Sequence, residues 1–333
     1  MFYKRSTKTL LAAAVLCTLF LTACGGTQPS TGATDASGNT AITPTAAPTD
    51  NTGTADKTET IAPTTAPTVV VQLNGLASEL SNFDQKTEQS AGDVEISLNN
   101  TTASINGSGC TLTNSVLSIT APGTYILSGT LNGQVVVNVD KTEKVRLILK
   151  NATITCADGP AIIITSADKV GITLADGTTN TLTDGTTYSN TGDKAPNACI
   201  FSKDDLTING NGTLNVNANF HNGIDTSNDL KLVSGTINIT AKNHAIKGND
   251  SVSVFGGTIT VKGGNDGIKS DTEGEAGKGF FYMNGGTLDI TAADDGIQAT
   301  SSIRIDSGSV SFHVQDDATN CDGSTAIAEG VVK

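Results

Sequence analysis

From about residue 206 onward, apolar and polar residues alternate in short runs, and the runs recur at a near-constant interval. One motif reads Gly212-Thr213-Leu214-Asn215-Val216, then Gly235-Thr236-Ile237-Asn238-Ile239, Gly257-Thr258-Ile259-Thr260-Val261 and Gly286-Thr287-Leu288-Asp289-Ile290. A turn glycine followed by strict alternation predicts a strand with one buried face. A second motif falls between the copies of the first. It reads His221-Asn222-Gly223-Ile224-Asp225, Asn243-His244-Ala245-Ile246-Lys247, Asn265-Asp266-Gly267-Ile268-Lys269 and Asp294-Asp295-Gly296-Ile297-Gln298, with a weaker copy at Asp316-Asp317-Ala318-Thr319-Asn320. Ile224, Ile246 and Ile268 are 22 residues apart. The step to Ile297 is 29, with the extra residues in 271–278, and the step to Thr319 is 22 again.

A period of about 22 residues, built of short strands and polar turns, matches one coil of a β-solenoid, whose coils must stack to bury a shared core. A β-sandwich would not keep copies in register at a fixed period. The first half carries the same kind of strand less regularly, at 116–119, 123–127, 134–139, 145–149, 161–164 and 170–174. No stretch has helical periodicity. Turn glycines are expected to supply positive φ, and Asn and Asp tolerate the same backbone. Thr191 to Asn197 reads as a charged loop extension, the kind of element on which a solenoid carries binding function. The last residues, Glu329 to Lys333, offer no evident cap for the final coil.

The N-terminus changes the picture from a fold to a location. Lys4, Arg5 and Lys8 precede an apolar run from Leu10 to Leu21, too short to span a bilayer stably and arranged as a secretory signal. It ends in Leu21-Thr22-Ala23-Cys24, which resembles a bacterial lipobox and implies cleavage after residue 23 and lipidation of Cys24. Residues 24–67 hold five of the eight prolines among Thr, Ala, Gly and Ser, without an aromatic residue. Such a segment is expected to be a disordered tether, leaving 68–333 as one folded domain. The expected location is extracytoplasmic, at the cell surface, with the lipid as the only membrane contact. Loss of three basic signal residues takes the formal charge from −13 to −16, which makes nucleic acid an unsuitable partner and a divalent cation a suitable one. Four cysteines remain in the domain, Cys110, Cys156, Cys199 and Cys321, without zinc-type spacing and with their pairing open.

Several spaced segments carry a family resemblance: Ala121 to Gly129, Ala167 to Val170, Asp176 to Leu182, Lys203 to Gly210 and Gly264 to Ser270. Together they resemble the carbohydrate-binding β-helix family of cell-surface proteins from clostridia and their relatives, over roughly residues 90 to 320. The resemblance implies an all-β, right-handed single-stranded parallel β-helix, calcium sites, and binding of plant-wall polysaccharide, acidic pectin-like polymers among them. The fold is shared with polysaccharide lyases, but the resemblance implies a binding module.

The stacked turns have chemistry of their own. Equivalent positions of successive coils lie about 4.8 Å apart, so the second position of the turn motif forms a ladder of Asn222, His244, Asp266, Asp295 and Asp317. Like charges at that distance repel by about 1 kcal/mol in water and more where water is scarce. Asp294 and Asp316 add to the repulsion, and a hard cation such as calcium would relieve it. The other reading is that these acids are turn formers, and both stand. Residues 221–225 have the spacing of an Asp-Asp-Gly-x-Asp calcium motif found in a β-helical pectate lyase family, with only Asp225 keeping its acid. Asn222 and Asp225 are therefore further metal candidates.

Lys247 and Lys269 follow at the fifth position. They could contact an acidic sugar, balance nearby aspartates, or, in a lyase, remove a proton. His244 and His313 read as turn or surface residues, and Phe255, Phe280, Phe281 and Tyr282 as packing residues. With no Trp and 4% aromatic residues, a flat aromatic sugar platform is not expected. The expectation is a surface-anchored, non-catalytic, calcium-assisted polysaccharide-binding protein. The alternatives are a calcium-dependent polysaccharide lyase, or a structural, adhesin-like protein without a sugar ligand.

Overall fold

A computed structural model describes residues 78–333 other than Asp193. The expected signal segment, Cys24 and the expected tether lie outside the described residues.

The described chain is all-β apart from a single helical turn at Asn82–Gln85. Each regular repeat contributes three strands, for example Asn222–Thr226, Asp229–Leu232 and Thr236–Ala241, followed one repeat later by Ile246–Gly248, Ser251–Val254 and Thr258–Gly263. Equivalent strands pair in parallel: Ile224 faces Ile246, Leu230 faces Val252, and Ile237 faces Ile259. The first strands of the repeats stack into a ten-stranded sheet, and the other two stacks join into a fifteen-stranded one. They join because some strands run through the corner unbroken, among them Phe280–Ala292 and Ser302–Val314. The alignment of copies drawn from the sequence is the pairing register itself. Ile268 faces Ile297, which faces Thr319, and the longer step is absorbed outside the strands at 271–279.

The core is a set of apolar columns running through the stack. Ile200, Ile224, Ile246, Ile268 and Ile297 form one, all fully buried. Burial of each such side chain contributes about 1.5–3 kcal/mol relative to exposure, and no single coil could collect that alone.

The turn glycines fall into two classes. Gly257 has φ +87°, as a turn requires. Gly223, in the Asn-Gly-Ile motif, has no positive φ and serves close approach instead: a Cβ there would sit 2.3 Å from the Ala245 carbonyl oxygen. The expectation of positive φ thus holds for Gly235, Gly257 and Gly286 of the first motif, and not for Gly212 or Gly223.

The two ends of the stack differ. At the N-terminal end Val94–Asn100 pairs antiparallel with Thr102–Asn106, and Cys110–Thr113 with Val116–Ile119. At the other end the backbone of Val310 bonds to Val331 and Lys333, and Val331 is buried against the core. The expectation that residues 329–333 offer no cap holds for most of the last coil: after a turn at Gly330, φ +77°, Val331 packs beside Val310, but Thr319–Cys321 and Ser324–Ile327 keep an unpaired outer edge, and Ile327 and Val332 stay exposed. The four cysteines are free thiols, three of them buried.

A strap on the outer face of the large sheet precedes the first strand. Ser81 caps the helical turn at Asn82–Gln85. Asp84 is fully buried, accepting from Thr207 Oγ1 at 2.6 Å and lying 3.2 Å from Lys169 Nζ. The Arg146 guanidinium sits over the Phe83 ring at 4.4 Å. Among the described residues no helix is long and apolar enough to cross a membrane.

Candidate functional site

The turn motif places its second residue inward at the corner before the short-strand sheet, and that side chain has a repeated task. Asn222 Oδ1 accepts from the backbone N–H of His244 at 3.2 Å, one coil on. Asp266 Oδ1 does the same for Asp295 N at 3.4 Å, and Asp295 Oδ1 for Asp317 N at 3.2 Å. Each side-chain oxygen thus satisfies an N–H that the parallel ladder leaves over, which is why Asn or Asp recurs there.

Beyond that cap the carboxylates accumulate. Oxygens of Asp266, Asp294 and Asp295 lie within 4.8 Å of one another, and so do oxygens of Asp295, Asp316 and Asp317. Asp266 and Asp295 are buried, whereas Asp316 and Asp317 are exposed. The Asp294 carboxyl is raised above its ordinary value, first by loss of solvent and then by Asp266, Asp295 and Asp316 around it. Burial would also raise Asp266. The His244 ring, Lys269 and the Asp295 N–H outweigh it and hold Asp266 below the usual range. The donor set is all oxygen, loosely arranged and strongly anionic, which fits a hard cation such as calcium.

Of the turn or surface position expected of His244, the structure gives the turn. The residue is buried, with Nδ1 3.1 Å from Asp266 Oδ2 but without the alignment of a regular hydrogen bond. Its place in the ladder was visible in the aligned copies, but its burial was not. His313 is exposed, 3.8 Å from Asp289.

Asn222 and Asp225 stand apart from these acid groups. Asn222 Nδ2 donates to Asp225 Oδ2 at 2.7 Å, while its oxygen serves His244 N and Asn243 Nδ2. Asn222 as arranged offers no oxygen to an ion. The Asp225 carboxyl is pushed up by burial, against the pull of Lys247. Asp225, Lys247, Lys269 and Gln298 occupy one outward row in successive coils. Lys247 Nζ is 2.8 Å from Asp271, and Lys269 Nζ contacts Gln298 Oε1 and lies 3.5 Å from Asp266. Phe281 is in the core, and Phe280 and Tyr282 are buried, so they form no exposed strip.

Comparison with known proteins gives this arrangement a context. The profile of a family described as carbohydrate-binding domain-containing protein matches residues 113–333. A relative from Acetivibrio thermocellus, itself named carbohydrate-binding domain-containing protein, is 40% identical over 163 residues, which span 47% of this chain and 57% of the relative. A solved structure titled as the polysaccharide lyase-like protein from C. thermocellum, gadolinium derivative, is 41% identical with a TM-score of 0.71, covering 72% of this chain and 98% of that one. With two thirds of its length inside the family profile, and a fold shared with a lyase-like structure, the chain belongs to the carbohydrate-binding domain-containing proteins.

Proposed function

We propose that this protein is a non-catalytic binder of acidic polysaccharide, assisted by calcium and held at the bacterial surface through a lipid on Cys24. In this reading the coils form a right-handed single-stranded parallel β-helix, which presents the turn stack along one edge. The observation that carries the reading is the double trio Asp266, Asp294, Asp295 and Asp295, Asp316, Asp317, set beside Lys247 and Lys269. The acids would hold the ion, and the ion would supply a positive charge to a sugar carboxylate. Asp266, Asp295 and the backbone they cap would keep it in place.

A lyase reading fits the lysines less well. A lysine that abstracts a proton must be neutral and open to substrate, whereas Lys247 is held by Asp271, and Lys269 by Asp266 and Gln298. An array of pectic, cellulosic and host glycans, probed with the full chain in calcium and in chelator, tests the proposal. Retention on uronate polymers that weakens in chelator is expected. Absence of retention on every glycan in both conditions would refute it, and formation of unsaturated uronate from polygalacturonate would transfer the site to the lyases.

A further inference from the structure

One coil before the acid stack, the outer surface of the short-strand sheet holds a cleft of about 600 Å³. That is the size of many small-ligand sites. Its walls carry Lys141, Lys194, Lys203 and Lys247 around the nearly buried Asp225. In a chain of net charge −13, four lysines about one cleft make a local reversal of sign.

The groups in the cleft differ in what they have left to offer. Lys141 is paired with Asp204 and Lys247 with Asp271. Lys194 and Lys203 have no carboxylate partner among the described residues, and both are exposed. On the other side, Asn197 Oδ1 and Asn249 Oδ1 are buried and accept from nothing. A buried acceptor without a donor costs about 1–3 kcal/mol, and both residues line this cleft, so a ligand that brings donors and draws these side chains toward it recovers that cost.

Three ligand chemistries can be weighed against this inventory. A bare cation would satisfy the amide oxygens but would meet the lysines as like charges. A simple inorganic anion would satisfy the lysines and leave the oxygens unmet. A sugar with a carboxylate and hydroxyls satisfies both. We infer that this cleft is a second, cation-independent subsite, in which Lys194 and Lys203 hold the carboxylate of a uronate while Asn197 and Asn249 accept from its hydroxyls. The inference rests on the acidic-polysaccharide reading above and adds where and how a sugar carboxylate is held without an ion. The row Asp225, Lys247, Lys269 leads from the cleft to Asp266, so a single acidic chain laid along it would meet ammonium groups first and the acid stack next.

Calorimetry of the full chain with trigalacturonate and with its methyl ester, first in chelator and then in calcium, tests the cleft. In chelator, wild type is expected to bind the acid at least tenfold more tightly than the ester. The double variant Lys194→Ala, Lys203→Ala should lose at least tenfold for the acid and little for the ester, and the loss should shrink with added salt. Arginine at both positions should restore most of the affinity. Unchanged affinity in the alanine variant, or equal binding of acid and ester in chelator, would overturn the cleft. If trigalacturonate binds only with calcium, and Asp295→Asn but not the lysine variant abolishes it, the cleft falls and the acid-stack reading stands. If no glycan binds in either condition, both fall.

Discussion

Among the regions of this domain that bury carboxylates, the N-terminal strap and the turn stack differ most in what surrounds them. In the N-terminal strap Asp84 is surrounded by what it needs: two lysines, the Thr207 hydroxyl and the Ser81 cap. In the turn stack Asp266 has His244 and Lys269 beside it and Asp295 accepts from Asn320, but Asp294, Asp316 and Asp317 crowd the same place with further negative charge. The first region contains the interactions that stability alone would favour. The second needs less than it holds, since the neutral Asn222 performs the same cap one end of the ladder away. An acid where an amide would suffice, repeated over successive coils, is charge that the fold does not require. The difference separates structural carboxylates from those available to a ligand.

The comparison breaks most sharply at Asp84. Replacing it with Ala leaves Lys169 and Lys231 without their shared partner, and a loss of about 3–5 kcal/mol in urea unfolding is expected. A loss below about 1 kcal/mol would mean that the strap does not hold the sheet.

The pH dependence sharpens the same contrast. Burial alone would raise the Asp84 carboxyl, but its hydrogen bonds with Thr207 and Ser81 and the charge of Lys169 hold it far below its ordinary value. A depressed folded-state value means that its stabilisation is present above the ordinary carboxylate range and is lost as pH falls through and below it. Asp294 is shifted the other way, so acidification relieves repulsion at the stack. Unfolding followed from about pH 5 downward should show stability falling in wild type and falling less steeply in Asp84→Asn. Parallel curves would contradict the assignment.

A smaller effect is expected at the neutral end of the ladder. Asn222→Ala removes the cap on His244 N and the donor to Asp225, at a cost of about 1–3 kcal/mol in the same assay. Smallest of all is Asp295→Asn in chelator, where the amide can keep the cap on Asp317 N and remove a charge. Its stability should fall by about 0.5–1.5 kcal/mol, because the amide keeps one acceptor and gives up the one that Asn320 Nδ2 uses. The variant should also lose the rise in melting temperature that calcium gives wild type, since a ligand stabilises only what binds it. A full calcium response in Asp295→Asn would remove that residue from the cation site.

Sequence reading reached different depths in these two regions for a physical reason. A coil repeats its contacts at a fixed separation, so aligning Ile224, Ile246, Ile268 and Ile297 on their period was already a statement of strand register. The acid ladder followed from the same alignment. The strap makes its contacts once, across 123 residues between Asp84 and Thr207, and nothing in a local pattern marks them. The antiparallel hairpins at 94–119 and the fold-back at Val331 are likewise single events at the ends of a periodic object. The burial of His244 beside Asp266 is a contact between coils, which one copy of the motif does not show. The cleft at Lys194 and Lys203 combines a loop with several coils, so only the charged loop at 191–197 could be seen in advance.

The most direct test of the account is retention of the full chain on immobilised polygalacturonate, in calcium and in chelator, for wild type and for the triple variant Asp266→Asn, Asp295→Asn, Asp317→Asn. The account predicts that calcium strengthens wild-type retention at least tenfold, and that the folded triple variant loses this response. Retention by the triple variant that still rises with calcium as in wild type would contradict it.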